Sequence, residues 1–413
     1  MATSLPPRLL VADQVADTLT VLNLPDGSES SALHGRHLAE HAGFLALPGG
    51  RVAFVDDRAG ELLVLDPYGP DRDRPLVAAA VPVAVPAEHL AADPTGRRLA
   101  VTTGLGRNEE PWSDLLTAVD LGAPEGPEAV RIRTRTGEPG VTVTGGADPL
   151  VVLRHREPGR FAAYRHRTLM AAAPACPRTE PDADLALPDD DGHGDAHDPV
   201  TGRLFAAAGS GVHRLAYGEG RLTAEEALPW GGPGRGYYLR LDPVRRTLWS
   251  CVRGGPADPG RWPEWSNDAW WYGLDSGRSG RVPLGPGLVF RLAVTARHTA
   301  FARVHPDGDE LVLLAVDSPG GPRVSARVGL APMAGAPRAG GSPWDGVERR
   351  AIAASPAGSL VAVSRGGHGQ VELVDAERPE WRRTLTVPTP LHEGGHLALV
   401  HPDDPAAGDP VGR

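Results

Sequence analysis

Apolar residues in this chain come in short runs and never in long periodic stretches. RVAFVDD (51–57), RRLAVTT (97–103), RLFAAAG (203–209) and SLVAVSR (359–365) are near-continuous apolar segments. Each is followed by a second: GELLVLD (60–66), LLTAVDL (115–121), GVHRLAY (211–217) and QVELVDA (370–376). Runs of this length, alternating or fully apolar, predict β-strands, and helical spacing is nearly absent. Turn chemistry precedes many of them: LPDG (24–27), LPGG (47–50), DPTG (93–96), DPVTG (198–202), HPDG (305–308) and SPAG (355–358). In these turns Pro presets φ, Asp or Ser bonds back to the backbone, and Gly supplies positive φ.

The unit of turn and strands recurs every 45–60 residues, roughly the size of a four-stranded propeller blade. Inner strands are expected to begin near residues 43, 90, 141, 195, 237, 290, 350 and 396. That predicts an all-β, single-domain propeller over 1–413 with eight blades, or seven if 137–175 is an insertion. The chain opens mid-blade with RLLVADQVADTLTVLNL and ends on one inner-strand candidate, GGHLALV. Pairing these two segments would close the ring and leave no sheet edge exposed.

Composition narrows the function classes. The net charge is -10 and no long basic run exists, which argues against nucleic acid and membrane as partners. No apolar run reaches about 18 residues, so no transmembrane helix is expected. The opening MATSLPPRLLVADQVADTLTVL has no basic segment followed by an apolar one, so no signal peptide is expected and a cytoplasmic protein is. The two cysteines, Cys176 and Cys251, exclude a disulfide framework.

LLVADQVADTLTVLNLPDG and LAADPTGRRLAVTT resemble the units of bacterial β-propellers with YVTN-like repeats. A narrower resemblance is to bacterial zinc-chaperone propellers. The first implies the fold, while function must come from the site.

The fifteen histidines suggest where that site lies. The tripeptide AEH occurs at 39–41 and 87–89, His193 enters GDAHDP, and His396 enters LALV. Inner-strand starts meet around the axis of a propeller, so His41, His89, His193 and His396 are the candidate ligands of one divalent transition metal, Fe, Cu or Zn. Glu40, Glu88 and Asp195 are the candidate catalytic carboxylates, with Asp198 beside them, placed to orient imidazole N–H groups. His197 is a reserve ligand. Asp189–Asp191 fail the EF-hand spacing, because Leu187 stands where the first ligand is needed, and are expected in a solvated loop. HEGGH (392–396) matches a zinc-peptidase pattern that works only on a helix, and its glycines and the following LALV argue against one.

RWPEWSNDAWWYGLD (261–275) concentrates Trp262, Trp265, Trp270, Trp271 and Tyr272. Trp265 and Trp271, with Tyr237 and Tyr238 on the neighbouring inner strand, are the candidate substrate wall. GGPGRG (231–236) opens no helix and is not expected to bind phosphate, and Ser210 with His213 is read as a turn. The first functional reading is a metal-dependent enzyme, oxidative, acting on a small organic substrate; carotenoid-cleaving dioxygenases are the analogy for a four-histidine propeller. A zinc or copper carrier and a metal-free scaffold for a protein partner are the alternatives.

Overall fold

A computed structural model describes residues 5–69, 76–104, 112–137, 139–173, 175–189 and 191–405. Eight antiparallel sheets follow one another around a ring, seven of four strands and one of five. The first blade is completed by the end of the chain. Its inner strand, His396–Val400, pairs antiparallel with Arg8–Asp13, Leu9 opposite Leu399 and Val11 opposite Leu397. The second blade runs from Phe44–Leu47 to Leu76–Pro82 and the third from Ala87–Ala92 to Glu128–Arg133. The fourth spans Gly140–Val143 to Ala183–Ala186, so 137–175 is no insertion. The fifth, sixth, seventh and eighth begin at Gly194–His197, Arg235–Gly236, Leu288–Val294 and Ile352–Ala354. The only α-helix among the described residues is the short His166–Met170.

The continuous apolar runs have a direct physical reason. A blade is covered on both faces, so both sets of alternating side chains are buried. In Arg8–Asp13, Leu9 and Val11 pack toward the eighth blade while Leu10 and Ala12 pack toward the second. Eight such clusters, one between each pair of neighbours, make a closed ring of cores. The turns are fixed by buried aspartates. Asp93 accepts the N–H groups of Arg97 and Arg98 at 2.9 and 3.0 Å, and Asp242 accepts those of Val244 and Arg245 at 3.0 Å each. Gly96 and Gly202 take φ of 65° and 71°, where a side chain would be strained.

One buried group makes the fold acid-sensitive. His155, on the strand Leu150–His155, is 1% exposed. Burial, with Arg135, Arg154 and Arg160 nearby, pushes its imidazole down to about 3. Neither ring nitrogen has a hydrogen-bond partner among the described residues. In the unfolded chain the ring protonates near its ordinary value of about 6.5. Protonation therefore favours unfolding: the contribution is intact above that value and is lost as pH falls toward the folded one. His155→Phe should remove this dependence, leaving the variant about 2 kcal/mol less sensitive than wild type on going from pH 7 to 5. Urea unfolding at both pH values measures it, and equal losses in the two proteins would refute the assignment.

Candidate functional site

An axial cavity of about 1060 Å³ opens where the inner strands converge. Three local irregularities aim side chains into it. In the third blade the pairing register slips between Ala87 and His89, which releases Glu88 from the ladder. In the seventh it slips between Val289 and Leu292, and Phe290 and Arg291 both reach the cavity. In the sixth the inner strand breaks between Gly236 and Arg240, and Tyr237 and Tyr238 line the wall. An unpaired residue in a strand can turn its side chain away from the regular alternation, which is why such bulges recur at sites.

The cavity brings together His41, His89 and His193 with Glu88 and Asp195. Glu88, whose side chain is 1% exposed, lies between two imidazoles: 2.8 Å from His41 Nδ1 and 4.0 Å from His89 Nε2. An ionised carboxylate only accepts, so this bond puts the His41 proton on Nδ1 and leaves Nε2 as the basic nitrogen. The expectation that a carboxylate orients an imidazole thus has its geometric counterpart at Glu88.

Other expectations need correction. His396 is buried at 2% exposure in the closing strand, opposite Ala12, and is not part of the cavity wall. Among the described residues no group of three or more His, Cys, Asp and Glu side chains is arranged to hold a metal ion. The four histidines are therefore not assembled into one ligand group among the described residues. Glu40 lies outside the cavity wall, 3.6 Å from Arg349. Asp195 meets Arg154 at 2.7 Å instead of an imidazole. Burial raises its carboxyl despite that arginine, so desolvation outweighs the pairing. Asp198 caps its turn and pairs with Arg246. Burial drives the reserve His197 down to about 4.

The acidic stretch is tied down, not merely solvated. Asp189 Oδ2 takes hydrogen bonds from Ser210 and from His213, the latter at 2.8 Å. Asp191 accepts the Gly209 N–H at 2.9 Å and pairs with Arg235 at 3.2 Å. HEGGH forms a single 3₁₀ turn, His392–Gly394, before the closing strand. Trp265 and Trp271 are not on the cavity wall either. The 3₁₀ segment Pro259–Glu264 folds Trp262 and Trp265 into a small core with Leu288, Val304 and Met333. Trp271 covers Gly280 and Gly321 at the outer part of its blade.

Arginine is the component that the histidine pattern did not reveal. Arg156, Arg240, Arg253, Arg291, Arg349 and Arg350 line the cavity, against the two carboxylates Glu88 and Asp195. Trp344 and Phe290 add aromatic wall. Two of these arginines carried a signal: YYLRLD and LVFRLAV each place Arg in an otherwise apolar inner strand. Cys251 also lines the wall, but burial pushes its thiol up to about 12, which removes it as a thiolate nucleophile near neutrality.

No protein-family model matches the chain and no curated protein matches it. The fold is shared with solved structures. Apo AztD from Citrobacter koseri superposes with a TM-score of 0.65 at 12% identity, covering 98% of this chain and 99% of that one. A second AztD structure from the same organism gives 0.63 at 12% identity, over 95% and 97%. The dihydro-heme d1 dehydrogenase NirN, in complex with DHE, gives 0.58 at 16% identity, over 94% of this chain and 75% of its own. At these identities the likeness is one of fold. The YVTN-like character of the repeats stays a feature of the sequence, with no family model behind it.

Proposed function

We propose that this propeller binds a small anionic organic molecule in its axial cavity and that His41, held by Glu88, transfers a proton to or from it. The observation that carries the reading is the cavity itself: about 1060 Å³ of apolar and aromatic wall, six arginines, and one imidazole fixed on a buried carboxylate. A few convergent polar groups on an apolar pocket make a ligand site. Guanidinium groups on the wall, including Arg253 with no acid beside it among the described residues, favour negative charge, in a protein whose net charge is -10. A positioned imidazole whose second nitrogen is held by a carboxylate is suited to general acid–base work. NirN, of the same fold, is solved in complex with DHE, which supports an organic ligand in a propeller of this shape.

The metal-dependent, oxidative form of the reading needs at least three ligands brought together, and the described residues do not hold such a group ready-made. The zinc-carrier alternative meets the same difficulty, although the sequence resembles zinc-chaperone propellers. Two measurements on protein purified without a histidine tag test the proposal. Thermal denaturation against a panel of organic acids and their neutral amides should show stabilisation by acids only. Elemental analysis should show no stoichiometric metal. Stoichiometric zinc together with no stabilisation by any organic acid would overturn the proposal in favour of a carrier. For an acid that the protein also converts, His41→Gln should lower kcat about a hundredfold while leaving affinity within a few-fold. Unchanged kcat in that variant would remove His41 from the chemistry.

A further inference from the structure

We infer that Arg253 is the anchor of the site and that its ligand is an aromatic organic carboxylate. The inference rests on the reading of the cavity as an organic-ligand site and names the chemical class. Arg253, next to the end of the strand Thr247–Gly254, lines the cavity. Its guanidinium carbon lies 4.2 Å from the ring centre of Tyr237 and 4.1 Å from that of Trp265, with Trp344 at 5.9 Å. Contacts of this kind with ring faces leave N–H groups of the guanidinium for other partners.

Those N–H groups are not taken up by the described residues. Among the described residues Arg253 makes no side-chain hydrogen bond or ion pair, and its contacts are with rings. Its neighbours behave differently. Arg281 on the same blade is held by Asp268, and Arg235 by Asp191 at 3.2 Å. Across the cavity, Arg350 is held by Asp309 at 2.7 Å and Arg349 lies 3.6 Å from Glu40. In a chain with 52 acidic and 42 basic residues, a half-buried arginine clamped between rings without an acid is set apart. A fixed fork of donors matches a carboxylate bidentately.

The surroundings select an aromatic acid. Trp344 lines the cavity, stacks on Trp265 at 5.7 Å and 24°, and meets Phe290 at 6.5 Å. Tyr237 lies on the other side of Arg253's ring contacts, with the His193 ring edge-on at 6.4 Å. A planar apolar body can rest on Trp344 and Phe290 while its carboxylate reaches Arg253. This arrangement also gives Trp265 a part in the site that its burial conceals: it backs the arginine and does not touch the ligand.

The test uses two probes of nearly equal shape, 2-naphthoate and 2-naphthamide, on the full chain. Binding is followed by tryptophan quenching and checked by calorimetry. Wild type should bind the acid more tightly than the amide. Arg253→Met should weaken 2-naphthoate about tenfold or more and leave 2-naphthamide within twofold. Arg253→Lys keeps the charge and loses the fork, so its affinity for the acid should fall between the two. Melting curves show whether each variant folds, and the lysine variant carries the test if the methionine variant does not. Equal weakening of both probes, or undiminished binding of 2-naphthoate in both variants, would overturn the anchor while leaving an organic-ligand site. Failure of wild type to bind either probe would overturn the anchor together with the cavity reading.

Discussion

Deleting residues 396–413 is expected to abolish cooperative folding of the whole ring, not to loosen one blade. The deletion removes the inner strand His396–Val400, whose five residues are all buried. Leu397, Leu399 and Ala351 share one cluster between the first and eighth blades, and Ala398 and Val400 belong to the cluster between the first and second. Fully burying two leucines and a valine is worth roughly 5–9 kcal/mol, before the ladder to Arg8–Asp13 is counted. That is comparable to the whole stability of a typical domain, about 5–15 kcal/mol. Loss of the strand also exposes the edge of Arg8–Asp13 and separates two blades that the ring holds together. Circular dichroism during heating should show no cooperative transition, and the truncated chain should associate. A point variant grades the effect: Leu397→Ala should cost about 2–5 kcal/mol. A truncated protein melting like wild type would show that the closing strand does not hold the ring.

The same strand shows why the fold could be read from the sequence. GGHLALV is an apolar run without a partner nearby in the chain, and RLLVAD pairs nearby on one edge only, with Thr18–Asn23, so a closed sheet needed them together. Inner strands expected near 43, 141, 195 and 396 begin at Phe44, Gly140, Gly194 and His396. Burial on both faces and turns fixed by Asp, Pro and Gly are local properties, and local properties are written in the sequence. Site geometry is different. Residue type and strand position suffice to place His41, His89, His193 and Glu88 on one cavity wall. Phe290 and Arg291 reach the cavity through a register slip that periodicity does not show. Arg253 is on the second strand of its blade by hydrogen bonding and still lines the cavity, against the rings of Tyr237 and Trp265. Trp265 was lost to the core because a 3₁₀ segment folds it inward. His396 also starts an inner strand, but its side chain is buried and does not line the cavity with the other three histidines.

Asp195 lines the cavity and is tied to Arg154, and its replacement should be among the most costly on the cavity wall. The carboxylate lies 2.7 Å from Arg154, whose side chain is 3% exposed while that of Asp195 is 10%. Arg154 belongs to the fourth blade and Asp195 to the fifth, so the pair joins neighbouring blades. The same guanidinium donates to the Gly192 carbonyl, just before His193. Asp195→Ala leaves a buried guanidinium without its counter-charge, and breaking such a pair costs about 3–5 kcal/mol. Replacing both partners, Arg154→Met with Asp195→Leu, should recover most of that loss, since an apolar pair of similar volume needs no desolvation of charge. Chemical denaturation of the two single variants and the double variant forms a cycle that isolates the coupling. The segment 192–195 is then freed, so affinity for an acid in the cavity should fall in Asp195→Ala. A purely catalytic Asp195 would give the opposite pattern: wild-type stability, unchanged affinity and lost turnover. The double variant separates the two, because restored stability with restored affinity can come only from a positioning role.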